Sequence, residues 1–231
     1  MNNPKIEPAK TEEVLPVFEK AINWFLITKS YRVNITFNSY LNHTSTVSHD
    51  KAEGYYKRDG NNFSSSAMGV HALQNDRIRI TVDSINQLIV INNKSEVSQI
   101  PVDISSFSML LEMAVAIKKQ KSDNGLQTFK IELDKNNLYK SYEFTVNEKG
   151  LLKNIKYYYN QELKADEDDE NSIKGKPRVE IVFNNYETSV KFNPEVDFSE
   201  KKYFKEENNK ILLKDNYKKF EVKDYRFTVK K

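Results

Sequence analysis

Residues 105–121 read SSFSMLLEMAVAIKKQK, and the rest of the chain is organised around them. Ser105 and Ser106 are good N-cap residues, because a short side-chain oxygen can accept from the free N–H groups of a first turn. An apolar run follows: Phe107, Met109, Leu110, Leu111, Met113, Ala114, Val115, Ala116 and Ile117. Lys118, Lys119 and Lys121 suit the carbonyl end of a helix, and Asn124-Gly125 offers a stop. The pattern predicts a helix over 105–121. Only Ser108, Glu112 and Lys119 interrupt its apolar surface, so it must be covered on most sides. The run from Phe107 to Ile117 falls short of the ~20 residues that span a bilayer. It stands alone between two blocks that read as strands, which makes it a greasy plug or lid on a sheet.

Working outward toward the N-terminus, Val14, Phe18, Ala21, Ile22 and Phe25 recur at helical spacing, with Trp24 beside them. Glu12 and Glu13 favour the positive end of that helix, and Pro16 restricts its start to within a turn of them. The helix should end near Lys29. Residues 1–10, with Pro4 and Pro8, read as a flexible leader. From Tyr31 the period switches to two: Val33, Ile35, Phe37 and Leu41 alternate with polar neighbours, as a half-buried strand does. Gly54, Tyr55 and Tyr56 open another strand, and Asp59-Gly60 is a hairpin signal before Phe63. Ile78, Ile80 and Val82 alternate, and Leu88 to Ile91 form a short continuous strand. Val97 to Ile104 is an irregular approach to the central helix.

Toward the C-terminus, Phe129, Ile131 and Leu133 alternate, as do Tyr142, Phe144 and Val146. Leu152 to Tyr159 follows a turn at Gly150. The polar run from Asp166 to Ser172 reads as the exposed loop of a hairpin, before a strand through Val179, Ile181 and Phe183. The tail carries enough apolar residues, among them Tyr203, Phe204, Tyr217 and Phe220, to pack as strands with a short helical turn. The order is helix, four or five strands, helix, about six strands. Short connections make consecutive strands antiparallel. The expected class is α+β, mainly β: a single curved antiparallel sheet, an unclosed barrel, with an N-terminal helix and a central lid helix packed on or in it. One domain is expected over 11–231, with a C-terminal extension from about 205.

The composition narrows the classes of function. Lys and Arg number 36 against 33 Asp and Glu, a net charge of +3, without the clustered positive face of a nucleic-acid binder. There are no cysteines, which excludes disulfides, thiolate metal sites and cysteine nucleophiles. The start, Met1-Asn2-Asn3-Pro4-Lys5, has no hydrophobic signal region, so either the protein is cytoplasmic or the sequence begins after a removed signal. No transmembrane segment is expected. No G-x-S-x-G, P-loop or dinucleotide fingerprint occurs, and no catalytic residue or cofactor is assigned. His43, His49 and Asp50 lie in a polar loop without a third oriented ligand, and His71 is far along the chain, so no metal site is expected either.

Several local strings, taken in order, resemble the LolA/LolB family of bacterial lipoprotein carriers. Gly54, Tyr56, Lys57, Arg58 and Phe63 are similar to that family's second strand. Ser106-Phe107-Ser108-Met109-Leu110-Leu111 is similar to the opening of its lid helix, and Tyr142 to Val146 with Gly150 and Leu151 to a later hairpin. The resemblance covers roughly residues 12 to 204. Asp59 stands where the family has a proline. The resemblance implies a curved half barrel whose hydrophobic interior is lidded by helices. It also implies that Arg58 helps to fasten the lid; a surface hairpin arginine is the other reading.

Together these readings give a non-enzymatic periplasmic or outer-membrane-associated protein. It would hold a lipid, an acyl chain or a lipoprotein anchor in an apolar cavity. Ile35, Phe37, Tyr56, Phe63 and Ile80 would be the walls, and Met109 and Met113 an adaptable lining. The plainer alternative is that these side chains close on one another as an ordinary core. The chain would then be an interaction or sensor subunit of an envelope assembly, docking an envelope membrane protein through its Tyr- and Lys-rich tail.

Overall fold

The computed structural model describes residues 6–95, 104–122, 124–164, 174–208 and 210–226. The chain begins with β1 (Ile6–Pro8), α1 (Thr11–Ile27), β2 (Ser30–Tyr40), β3 (Asp50–Asp59), β4 (Asn62–Ala67), β5 (Val70–Gln74), β6 (Ile78–Asp83) and β7 (Leu88–Asn93). It continues through α2 (Ile104–Glu112), β8 (Ala114–Lys121), β9 (Gln127–Leu133), β10 (Tyr139–Val146), β11 (Leu152–Tyr159), β12 (Leu163–Lys164), β13 (Lys174–Gly175) and β14 (Arg178–Thr188). Last come α3 (Pro194–Asp197), β15 (Phe204–Glu207), β16 (Lys210–Leu213) and β17 (Glu221–Asp224), with short 3-10 turns at Glu200–Lys202 and Asp215–Tyr217.

Hydrogen-bonded neighbours follow the order β1-β8-β9-β10-β11-β14-β2-β3-β4-β5-β6-β7-β17, a 13-stranded sheet whose first and last strands do not pair. The expected class, α+β and mainly β with an unclosed sheet, is the one observed. β17 is not antiparallel to its neighbour: it lies parallel to β7, with Glu221 opposite Leu88 and Asp224 opposite Ile91. A parallel neighbour needs a long connection, and the chain returns to β7 only after every other strand is made. The expected irregular approach at 97–104, apart from Ile104 itself, and the acidic hairpin loop at 166–172 lie outside the described residues.

Within the chain, two compact units can be described separately. The first comprises Met1–Ile27, Ile35–Ala52 and Ile100–Asn184; the second comprises Thr28–Asn34, Glu53–Gln99 and Asn185–Lys231.

In the first unit, α1 buries Val14, Phe18, Ala21, Ile22 and Phe25, the stripe its periodicity marks. It starts at Thr11, so Pro16 sits inside it and removes one backbone bond rather than setting the start. The helix holds because residues on both sides of the proline are anchored: Val14 is buried before it, and after it Phe18 meets Phe144 edge-on at 5.1 Å and Phe25 lies 6.1 Å from Phe183.

The central helix differs from expectation. It ends at Glu112, and the rest of the apolar run, Ala114–Lys121, is the strand β8. Val115 and Ile117 are β-branched and lose rotamer freedom in a helix, while a strand accommodates them. Strand partners on both sides also satisfy this backbone. Ile117 lies opposite Ile131 of β9, and Lys119 lies opposite Glu7 of β1. The lysines that read as a helix end are therefore strand residues, with Lys118 Nζ donating to Glu132 at 2.9 Å. The leader expectation changes as well, because Ile6–Pro8 forms the edge strand beside β8. Pro8 is tolerated there because an edge strand need not donate every N–H.

In the second unit, β4 and β5 are joined by Met68-Gly69, both at positive φ, and Gly60 takes φ +59 in the turn before β4. Leu73, Ile78, Ile80, Val82, Ile89 and Ile91 alternate onto one face of β5–β7. The chain's own C-terminal segment covers that face, with Tyr203 and Phe204 buried and Ile211, Leu213, Tyr217, Phe220 and Val222 packed against it.

Candidate functional site

The first unit holds a cavity of about 760 Å³ beside α2, within the range typical of small-ligand sites. One wall is the helix, through Ser106, Phe107, Met109, Leu110 and Glu112, with Met113 in the turn that follows it. Phe107 and Leu111, one turn apart, form its buried face, while Met109 and Met113 remain 56% and 47% exposed. The helix is thus covered on one side rather than on most sides, because the residues that would have widened its apolar surface, from Ala114 onward, went into β8.

The opposite wall is Leu133 of β9, Tyr139 and Tyr142 of β10, Tyr157 of β11, and Asn137 and Leu138 from the β9–β10 connection. That connection is shaped by Asp134, whose carboxylate accepts from the Asn136 N–H at 2.9 Å. The Asn160 side-chain amide clamps it by donating to the Lys135 and Asn137 carbonyls, each at 3.0 Å. These bonds fix Leu138 at the cavity rim, 48% exposed. Register sets the tyrosines: Tyr142 stands opposite both Ile131 and Tyr157.

Burial dominates the electrostatics. It holds the phenol of Tyr142 well above the usual tyrosine range, and raises that of Tyr157. Tyr139 is pushed up to about 12 by burial, with Tyr159 next to it contributing. All three are neutral near pH 7. The cavity therefore offers apolar contact and neutral hydrogen-bond donors, with Glu112 the acidic residue lining it.

The residues expected to form the ligand wall are distributed differently. Met109 and Met113 line this cavity. Ile35, 2% exposed, and the half-buried Phe37 belong to the first unit but do not line it. Tyr56, Phe63 and Ile80 belong to the second unit, where Ile80 is fully buried among the residues that Tyr203 and Phe204 cover. Arg58 Nε donates to the Gly60 carbonyl of its own hairpin at 2.9 Å. His43 Nε2 lies 2.9 Å from the Tyr159 carbonyl. No group of three potential metal ligands occurs among the described residues, and no helix among them is long and apolar enough to cross a membrane.

Sequence reasoning missed the aromatic wall. Tyr142 and Tyr157 fell within expected strands with no other role, and Tyr139 was not singled out. The available signal was the concentration of tyrosine on two consecutive strands, where an inward phenol needs a polar partner that phenylalanine does not.

The second unit has a more polar cavity of about 720 Å³, lined by residues that include Asn75, Arg77, Glu200 and Lys201. Its buried carboxylate, Glu200, is already engaged by the Arg77 guanidinium and by Asn75 Nδ2 at 2.7 Å. Nearby, His71 joins three strands to the C-terminal segment. Its Nε2 meets the Tyr55 hydroxyl at 2.6 Å, and its Nδ1 meets the hydroxyl of Tyr203.

No protein-family model matches the chain, and no curated protein matches it. Among solved structures it is similar to lipoprotein LppX of Mycobacterium tuberculosis, at 10% identity over 80% of this chain and 100% of that one, with a TM-score of 0.35. It is similar to LprF from Mycobacterium bovis, at 13% identity over 81% and 98%, with a TM-score of 0.38. A putative outer membrane lipoprotein-sorting protein domain from Vibrio parahaemolyticus matches at 9% identity over 82% and 97%, with a TM-score of 0.32.

Proposed function

We propose that the chain is a non-enzymatic binding protein of the bacterial envelope, holding an acyl chain of a lipid or of a lipoprotein anchor in the cavity beside α2. The observation that carries this reading is the cavity itself: about 760 Å³, walled by Phe107, Met109, Leu110, Met113, Leu133 and Leu138 with three neutral phenols. Each methylene moved there from water contributes about 0.8 kcal/mol, so a medium-length chain gains useful affinity without a charged anchor. Methionine suits such a wall because its unbranched side chain adapts to ligands of different shape. The order of motifs that resembles the lipoprotein carriers points the same way, and the envelope location follows from that cargo.

The reading is tested by extracting the protein, purified from its own host, with organic solvent and identifying bound lipid by mass spectrometry. Added acyl ligand at ~100 times its dissociation constant should contribute about 2.7 kcal/mol, which raises the melting temperature by roughly 5–10 °C for a chain of this size. An empty extract together with an unchanged melting temperature contradicts it.

A further inference from the structure

Glu112 is the last residue of α2 and the one charged side chain among the described residues that line the cavity. It is exposed, and its carboxylate has no ion-pair or hydrogen-bond partner among the described residues. The lysines closest to it in the chain, Lys118 and Lys119, pair with Glu132 and Glu13 instead. The carboxylate also stands at the wrong end of its helix. A helix's carbonyl end carries partial negative charge, which favours a cation and disfavours an anion, and the last turn of α2 holds no basic residue. A local choice that costs stability without compensation marks a functional position. Glutamine would fill this one without the repulsion.

On the sheet wall of the same cavity, Tyr139 and Tyr157 are half-buried, with ring centroids 5.4 Å apart and 49° between their planes. The faces of neutral aromatic rings attract cations, quaternary ammonium groups above all. A carboxylate, a helix carbonyl end and two aromatic rings therefore all favour positive charge in one apolar cavity. No lysine or arginine is among the described residues that line it.

We propose that Glu112 determines the head group of the occupant: the cavity takes an acyl chain that carries an ammonium head and discriminates against one that ends in a carboxylate. This rests on the acyl-binding reading above and adds the charge class of the ligand to it. The hydrocarbon runs along Met109, Leu110 and Met113, and the ammonium is held between Glu112 and the tyrosine rings. The chain's net charge of +3 would by itself favour an anion, so a preference for the cation is a property of the cavity.

The test measures displacement of an uncharged solvatochromic probe from the wild-type protein and from Glu112→Gln. The displacing ligands are dodecanoylcholine, its uncharged carbon isostere 3,3-dimethylbutyl dodecanoate, and dodecanoate. Wild type should bind dodecanoylcholine more tightly than dodecanoate. In Glu112→Gln the affinity for the choline ester relative to its isostere should fall about tenfold, which is ~1.4 kcal/mol, and dodecanoate should gain. A choline ester to isostere ratio that is the same in both proteins overturns the role of Glu112, as does wild-type binding of dodecanoate as tight as that of the choline ester. Displacement by the isostere in either case leaves acyl binding intact. Failure of all the ligands to displace the probe overturns both.

Discussion

Phe18 of α1 and Phe107 of α2 are stacked, with ring centroids 3.6 Å apart and 17° between their planes. A nine-residue helix is too short to be stable alone, so α2 exists because Phe107 is wedged between Phe18 and Phe144, the latter edge-on at 5.5 Å. The same wedge aims Met109 and Met113 at the cavity. Phe107→Ala should lower unfolding free energy by about 3–5 kcal/mol, read by urea denaturation. If the variant stays folded, amide exchange should accelerate selectively over residues 104–112.

Gly54 is required by close packing rather than by its dihedral angles. A side chain there would collide with the Ser66 carbonyl oxygen on the paired strand β4. Gly54→Ala should destabilise by about 1–3 kcal/mol. At Gly60, where φ is +59 and the space is open, Gly60→Asn should be milder, because asparagine tolerates the left-handed region. Thermal denaturation of the two variants orders them.

His71 predicts a pH dependence. Burial, reinforced by Lys202 and Lys57, lowers its pKa from 6.5 to about 4. The unfolded chain therefore binds this proton more readily than the folded one. The stability His71 contributes is complete above pH ~6.5 and is lost as pH falls toward 4. The neutral ring accepts from one of the Tyr55 and Tyr203 hydroxyls and donates to the other, and the imidazolium formed below that range has no nitrogen left to accept. His43 is shifted in the same direction, again chiefly by burial. Urea midpoints measured from pH 7.5 to 4 should fall, and His71→Gln should flatten part of that slope.

Met113→Glu places a carboxylate in the apolar wall. Met113 is 47% exposed, so the change should alter stability by no more than about 0.5 kcal/mol. Acyl binding should nonetheless weaken at least tenfold, since the ligand would bury against a charge that keeps its water. Fluorescence titration with a labelled acyl chain measures it, and unchanged affinity would remove Met113 from the site.

Much of the architecture was legible wherever one period dominated. The stripe of α1 and the alternation of β2, β6 and β10 are the observed buried faces, because a half-buried element leaves a clean pattern. Residues 105–121 misled because an unbroken apolar run carries no period. Alanine and methionine favoured one helix, whereas Val115, Ile117 and the edge partners supplied by Ile6–Pro8 and β9 decided for a strand after Glu112. The β4–β5 hairpin was hidden because its turn is Met68-Gly69, without the usual asparagine. Ile80 looked like a ligand wall because nothing local reveals that Tyr203 and Phe204, more than a hundred residues away in the chain, cover it. The tyrosine wall depends on register between β10 and β11, which periodicity within each strand does not encode.

The chain's four methionines offer the most direct test of the acyl site. With 13C-methyl-labelled methionine, a titration with an acyl ester should move the NMR signals of Met109 and Met113 and leave that of Met68, in the exposed β4–β5 turn, where it is. Signals of Met109 and Met113 that stay fixed at saturating ligand, or movement confined to Met68, would contradict an acyl site beside α2.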